Sequence, residues 1–412
     1  MLRVSNRKKL IRLLGFLLAL AVFYFNFTPG MCAVRELTDA IFVERGEALP
    51  SPPLSSAAEG AVTVSDSGDE TLSGRRLRIL LFGFIELKSI PVCVSERAML
   101  IPGGNAVGIS IHTDGVLIVG FGEVYDSSGN KCCPAKDSSL RAGDLIISAN
   151  GIPVYTAEEL QQALNESPSR ARLSVRRDGK LVSVSVMPAV GSGGDVKLGA
   201  WVRDSTVGIG TLSFVIAESG GTAALGHSVV DADTGCILPV RSGELRAASI
   251  LGVTKGRSGI PGELRGTVHD SALLIGSIIS NSELGVFGLL EAQNGAQSPA
   301  AAETLPLAFP TEVHEGDAEL LAQIDSEGVK SYSCKIIRVS KQDRPDQKGL
   351  VIEITDNRLL EITGGIVQGM SGSPIIQDGR LAGVVTHVFV NDPTRGYGIY
   401  AYWMYEACGK AS

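Results

Sequence analysis

Gly364-Gly-Ile-Val-Gln-Gly-Met-Ser-Gly-Ser-Pro374 runs straight into Ile375-Ile-Gln-Asp-Gly-Arg-Leu-Ala-Gly-Val-Val-Thr-His387. The first part reads as a glycine-rich turn that lifts Ser371 clear of its backbone. The second reads as a strand, a hairpin turn at Asp378-Gly379 and a returning strand. A serine in such a turn is a candidate nucleophile, and the amide N–H groups of Gly369 and Ser371 are then candidate oxyanion donors. Ser373 is a rival, but it precedes Pro374, which holds its backbone extended.

Working outward, short alternating runs recur at 199–203, 210–215, 236–240, 247–253, 264–268, 285–290, 333–340 and 349–355, separated by glycine-rich turns. That cadence predicts a mainly β chain, with a barrel or sandwich from 197 to 412. A nucleophilic serine needs a base and a group to orient it. Of the five histidines, His227 lies in a glycine-flanked turn 144 residues before Ser371, the order expected of a chymotrypsin-like double β-barrel with histidine on the first barrel and serine on the second. His387 follows Ser371 by 16 residues, on the strand that in such folds lines a specificity pocket. His269 and His314 sit in polar, turn-like settings and remain open as bases, whereas His112 reads as surface. Among the acids, Asp231 and Asp233 follow His227 closely and Asp378 occupies a hairpin turn. Asp356, ending the strand before the serine turn, is the preferred orienting acid.

Residues 76–190 have a different rhythm. Leu140-Arg-Ala-Gly-Asp-Leu-Ile-Ile-Ser-Ala-Asn-Gly151 gives a Gly-Asp turn, a strand and an Asn-Gly turn; Thr156 and Glu159 form a capping box for a helix over 157–165. The block resembles a bacterial PDZ domain, an α+β module that takes an extended peptide beside a helix. The expected groove runs between the strand carrying Val107, Gly108 and Ile109 and the helix carrying Leu160, with strands over 78–94 preceding it.

The N-terminus carries Arg3, Arg7, Lys8, Lys9 and Arg12, and residues 13–34 carry no charge. A basic flank before an apolar run predicts export, with residues 1–34 as a signal anchor or transmembrane segment; a cleaved signal peptide is the alternative. Residues 35–75, rich in Pro, Ser, Gly and acid over 46–75, read as a flexible linker. The net charge is −7, and no long basic run occurs outside the N-terminus, which argues against nucleic acid as a partner. The seven cysteines are odd in number and scattered, so they do not make a disulfide framework. No zinc-protease, P-loop or dinucleotide signature occurs, and neither metal nor cofactor is expected.

Arg203-Asp-Ser-Thr-Val-Gly-Ile-Gly-Thr211, Ala224-Leu-Gly-His227, residues 363–377 and Val385-Thr-His-Val-Phe-Val-Asn-Asp-Pro-Thr-Arg-Gly-Tyr-Gly398 extend the likeness beyond a motif. On these segments the chain from about 76 onward resembles the stage IV sporulation protein B peptidases of endospore-forming bacteria. That resemblance implies a membrane-associated serine endopeptidase with catalytic His227 and Ser371, and Asp356 as acid. It implies self-cleavage and action between the forespore and mother-cell membranes. There the family cuts a regulatory subunit of an intramembrane protease complex, which releases the late mother-cell sigma factor. The alternatives are a non-catalytic PDZ scaffold in the envelope and a general envelope quality-control protease.

Overall fold

The computed structural model describes residues 15–16, 40–46, 62–67, 76–81, 84–269, 271–291, 303–342 and 344–411. The proposed anchor lies almost wholly outside these residues. Among the described residues, no helix is long and apolar enough to cross a membrane. The chain divides into two compact units.

The smaller unit is built on a four-stranded sheet. Ile41–Glu44 pairs in parallel with Ile85–Ser95, which is followed across the sheet by Arg76–Leu81 and Val62–Ser67. Alternation along these strands puts Ile41, Val43, Leu77, Ile79, Ile90 and Val92 on one side, where they form a core. In the same unit Arg97 binds Glu44 at 2.7 Å and Glu312 at 2.9 Å. Two expectations are corrected here. Ile41–Glu44 and Val62–Ser67 are sheet strands and not linker, because their short β-branched runs find partners despite the Pro- and Ser-rich segments around them. The strands expected over 78–94, observed as Arg76–Leu81 and Ile85–Ser95, likewise belong to this sheet and do not introduce the PDZ-like domain.

The larger unit holds two six-stranded barrels. In the first, Ala106–Phe121 pairs with Val240–Ala247, then come Leu274–Ser282, Gly285–Leu290, Gly221–Ala224 and Ala200–Ile216, and the last of these pairs back onto the first. Val107, Ile109, Ile111, Leu212, Ala224, Leu245, Ile278 and Val286 fill it. The second is a closed barrel of Gly316–Ala322, Lys330–Val339, Leu350–Ile354, Asp392–Tyr400, Arg380–Phe389 and Pro374–Gln377. The C-terminal helix Ala401–Ala411 continues from the second barrel and reaches the first, where the Cys408 thiol lies 3.6 Å from the Thr222 carbonyl. The six described cysteines are free thiols.

The PDZ domain is not a preceding module but an insertion into the first barrel. The strand Ala106–Phe121 pairs with barrel strands as far as Thr113, and from Val116 onward it pairs with Leu145–Ala149 of the inserted domain. The strand Ala200–Ile216 returns the chain, running beside it in both regions. Asp114-Gly115 is a swerve within one strand. Gly115 has φ +137°, and a Cβ there would lie 2.6 Å from the Ile146 carbonyl oxygen, so only glycine lets the two sheets meet. The buried Thr113 hydroxyl donates to the carbonyls of Gly115, at 2.6 Å, and Asp204, at 3.0 Å, fastening the two strands where they leave the barrel.

Within the insertion, Val116, Ile118, Leu140, Ile146, Leu160, Leu164, Leu173 and Val186 form a separate core. The helix Ala157–Asn165 starts on the capping box formed by Thr156 and Glu159. The Asp204 carboxylate also accepts the Ala157 N–H at 2.9 Å. A carboxylate at a helix N-terminus adds favourable charge–dipole energy to the hydrogen bond.

Candidate active site

Ser371 sits between Gly369 (φ +96°) and Gly372 (φ +103°), so the turn that the glycine spacing predicts depends on two left-handed residues. Its base is tied to both barrels. The Gly372 N–H donates to the Val385 carbonyl at 2.8 Å in the second barrel. From the first, Thr211 donates its N–H to the Ser371 carbonyl at 3.1 Å and its hydroxyl to the Gly369 carbonyl at 2.7 Å. Among the described residues the N–H groups of Gly369 and Ser371 have no acceptor. Both are therefore free to serve an oxyanion.

His227 is presented from the first barrel by Ala224-Leu-Gly-His227. Leu225 has φ +71°, rare for a branched side chain, and the Gly226 N–H donates back to the Ala224 carbonyl at 3.0 Å. This has the form of a strained γ-turn, held by the sheet on either side. The His227 ring reaches its own chain: Nδ1 lies 2.9 Å from the Ser228 carbonyl oxygen. A carbonyl only accepts, so Nδ1 carries the proton and Nε2 is left as the base.

Ser371 and His227 line one cavity of about 430 Å³ between the barrels, with Ile109, Ile209, Val229, Ile366, Val367 and Val388. Thr206, Gln368 and Thr386 add polar groups to these aliphatic walls. His387 stands at the more exposed side, its ring 4.9 Å from that of His227 and tilted by 35°. The Ser371 hydroxyl donates to the Thr386 carbonyl at 2.7 Å. Among the described residues no hydrogen bond joins it to His227. Catalytic hydrogen bonds are often unformed in a site without substrate and tighten when one binds.

Burial lowers the His227 pKa below its ordinary 6.5, and the bond to the Ser228 carbonyl partly offsets this. The His387 pKa is lowered too, first by desolvation, then by the charges His227 and Lys348 would carry. Two imidazolium rings this close repel, so protonating one disfavours the other. The base works only when neutral, and a depressed pKa keeps it neutral to lower pH. The acid limb of kcat/KM against pH therefore has its midpoint below 6.5. A midpoint at or above 6.5, measured on peptide cleavage or on the rate of serine labelling, would contradict this environment for His227.

Asp356 is not beside the histidine, which corrects its expected role. Its carboxylate accepts the N–H groups of Arg358 at 2.9 Å and Leu359 at 3.3 Å, capping the helix Asn357–Thr363, and pairs with the Arg358 guanidinium at 2.8 Å. These partners hold its pKa down to about 2. Among the described residues no hydrogen bond or ion pair joins it to a histidine. The physical reason is local: an Asp two residues before an Arg and directly before a helix is satisfied by the helix it starts.

The other candidates also resolve. His314 and Asp378 pair with each other at 2.9 Å on the exposed face of the second barrel. His269 and His112 are exposed. Asp231 and Asp233 bind Arg203, at 2.5 Å and 3.0 Å. The Ser373 hydroxyl is fully buried and without a partner, out of reach of a substrate.

The PDZ groove is elsewhere than expected. Val107, Gly108 and Ile109 belong to the first barrel, and Ile109 lines the cavity of Ser371. The cleft beside the helix Ala157–Asn165, about 260 Å³, lies between Leu160, Gln161 and Leu164 on the helix and Leu198 with Ala200 and Trp201, the last two on the returning strand. The misplacement follows from the insertion: the strand flanking the helix comes after it in sequence, not before.

A histidine from one closed β-barrel and a serine from a second, meeting in one apolar cleft, define a two-barrel serine peptidase, here with a PDZ domain set into its first barrel. The chain belongs to the SpoIVB peptidase S55 family, which matches residues 194–405, and residues 125–177 match a PDZ domain. No curated protein matches it. Among solved structures it is similar to the Rv3671c protease from M. tuberculosis. The active form has 17% identity and a TM-score of 0.29, covering 50% of this chain and 75% of that one. The inactive form has 16% identity and a TM-score of 0.28, with 50% and 84% covered. A structure of GrC has 12% identity and a TM-score of 0.30, with 50% and 87% covered. Likeness at this level carries no argument of its own.

Two features of the site escaped the sequence reading. Thr211, which braces the serine turn, stands in Gly208-Ile-Gly-Thr211, whose alternation marks it only as strand. The Ser228 carbonyl has no side-chain signature at all.

Proposed function

We propose that this serine peptidase acts outside the cytoplasm, held at a membrane by residues 1–34, between the forespore and mother-cell membranes of a sporulating bacterium. It cleaves itself and a regulatory subunit of an intramembrane protease complex, and so triggers release of the late mother-cell sigma factor. Family membership and the basic flank before an uncharged run support this reading. The observation that carries it is the pairing of Ser371 and His227 in one apolar cleft within a chain of this family.

The chemistry follows from the arrangement. A peptide carbonyl placed between Ser371 Oγ and the N–H groups of Gly369 and Ser371 is attacked by Oγ as His227 Nε2 takes the proton. The negative charge develops on the carbonyl oxygen against the two N–H groups, and the imidazolium then protonates the departing amine. Water repeats the sequence on the acyl-enzyme. His387, at the edge of the cleft, is placed to contact a substrate side chain. The groove at Leu160 and Trp201 takes an extended peptide from the substrate or from this chain. Producing the full chain together with the regulatory subunit in a non-sporulating host tests the assignment: defined fragments of both should accumulate. An intact subunit beside a peptidase that still labels with fluorophosphonate would overturn the substrate assignment and leave the enzyme class standing.

A further inference from the structure

Among the described residues no carboxylate bonds to His227, as one does to the base of a three-residue site, and the acid candidates are engaged elsewhere. Its Nδ1 proton goes to a main-chain carbonyl, so whatever fixes that carbonyl fixes the ring. The Ser228 carbonyl and the Val229 N–H belong to one peptide group. That group is planar, with its C=O and N–H pointing in opposite directions. The Val229 N–H donates to Asn281 Oδ1 at 2.8 Å. Asn281 Nδ2 in turn donates to the carbonyls of Val229, at 2.8 Å, and Leu238, at 2.9 Å. The orientation of this amide is set by its partners, since an N–H can only donate and two carbonyls can only accept. We propose that Asn281 is a positioning residue of the active site: by clamping the Ser228–Val229 peptide it aims the Ser228 carbonyl at His227 Nδ1 and holds Nε2 toward the serine.

This inference rests on the peptidase reading of Ser371 and His227. Three facts favour a clamp over simple packing. Asn281 lies on the strand Leu274–Ser282 of the first barrel, a rigid platform across from the turn. All its bonds go to the segment following His227, and two of the three go to the residue whose N–H shares the critical peptide. That segment is also fastened independently: the buried Asp231 carboxylate binds Arg203 at 2.5 Å, and accepts from the Thr234 N–H and hydroxyl at 2.8 Å. Loss of the Asn281 amide thus frees one peptide without releasing the whole segment. A hydrogen bond from the peptide N–H also polarises its carbonyl, strengthening the acceptor that faces the imidazolium as charge develops there.

The test compares Asn281→Leu, which keeps the size and removes every bond, with Asn281→Asp, which keeps the acceptor for the Val229 N–H and loses both donors. Each full-length variant is labelled with a fluorophosphonate across a pH series, beside a thermal melt. Asn281→Leu is expected to label on the order of 10²-fold more slowly, as for a displaced catalytic group. Asn281→Asp is expected to recover part of that rate. In Asn281→Leu the acid limb should also move to lower pH, because the bond that raises the His227 pKa is weakened. His387 is the ionisable ring facing His227 and is unchanged in both variants. Wild-type labelling and an unmoved limb in folded Asn281→Leu would overturn the proposal. So would a slower rate that follows the folded fraction alone with the limb unmoved. Wild-type protein that is folded but does not label would instead overturn the peptidase reading, and this inference with it.

Discussion

Ser371→Ala is expected to cleave peptide bonds roughly 10⁴- to 10⁶-fold more slowly than the wild type, and to lose fluorophosphonate labelling altogether. The size of the effect follows from what the turn retains. Alanine removes Oγ and its hydrogen bond to the Thr386 carbonyl, which contributes about 1 kcal/mol to stability. The main-chain bonds at Ser371 and Gly372 remain, so the oxyanion donors and the apolar cleft stay in place. Only the nucleophile is gone, and no neighbour replaces it, because the Ser373 hydroxyl is sealed in the interior. Peptide cleavage and labelling measured beside a thermal melt check this. A variant that melts normally and cleaves within tenfold of the wild type would move the chemistry off Ser371.

Gly372→Ala should damage both stability and activity, by about 3 kcal/mol or more and on the order of 10²-fold. A Cβ on Gly372 would lie 2.1 Å from the Thr211 carbonyl oxygen and 2.8 Å from the Leu225 nitrogen, and both are backbone atoms that cannot swing away. The φ of +103° adds strain for any L side chain. The contact is placed where damage spreads furthest, since Thr211 braces the serine turn and Leu225 leads into His227. Gly379→Ala is the control. It also has positive φ, +70°, but a Cβ there meets nothing within 4 Å, so it loses only about 1 kcal/mol and keeps its activity. Urea unfolding and labelling rates of the two variants decide the matter: equal effects would mean that the close approach at Gly372 is not what holds the site.

The serine turn was legible because its demands are local: glycines at 369 and 372 for left-handed backbone, with the serine between them, and a strand that begins at Pro374. His227 was singled out by chain order while other histidines stayed open, and the structure places it in the cavity of Ser371. The inserted domain was recognisable from Leu140 to Gly151, whose turn residues sit at fixed offsets. Its junction with the barrel was not. Asp114-Gly115 carries the composition of a hairpin turn, and only the non-local pairing of residues 200–211 with 106–121 turns it into a swerve. Asp356 was misread for a related reason, since an acid at a strand end looks the same in sequence whether it faces a histidine or starts a helix. The clamp at Asn281 works through a peptide plane, and main-chain groups carry no residue-specific signal.

The placement of the PDZ domain bears on how the protein assembles. Thr113 and Asp204 are hydrogen-bonded neighbours 91 residues apart in the chain. Joining the first strand of the barrel to its second is therefore closure of a long loop, costing about 4 kcal/mol plus a constant if the intervening chain is unfolded. Once the inserted domain has folded, its own sheet holds the ends of residues 116–118 and 202–203 side by side, and the barrel meets them as though they were the two legs of a hairpin. Folding the inserted domain first thus removes that loop cost from closure of the barrel. A growing chain emerging in order completes that domain before His227 is made and long before Ser371, so the two residues of the candidate site are the last parts to arrive.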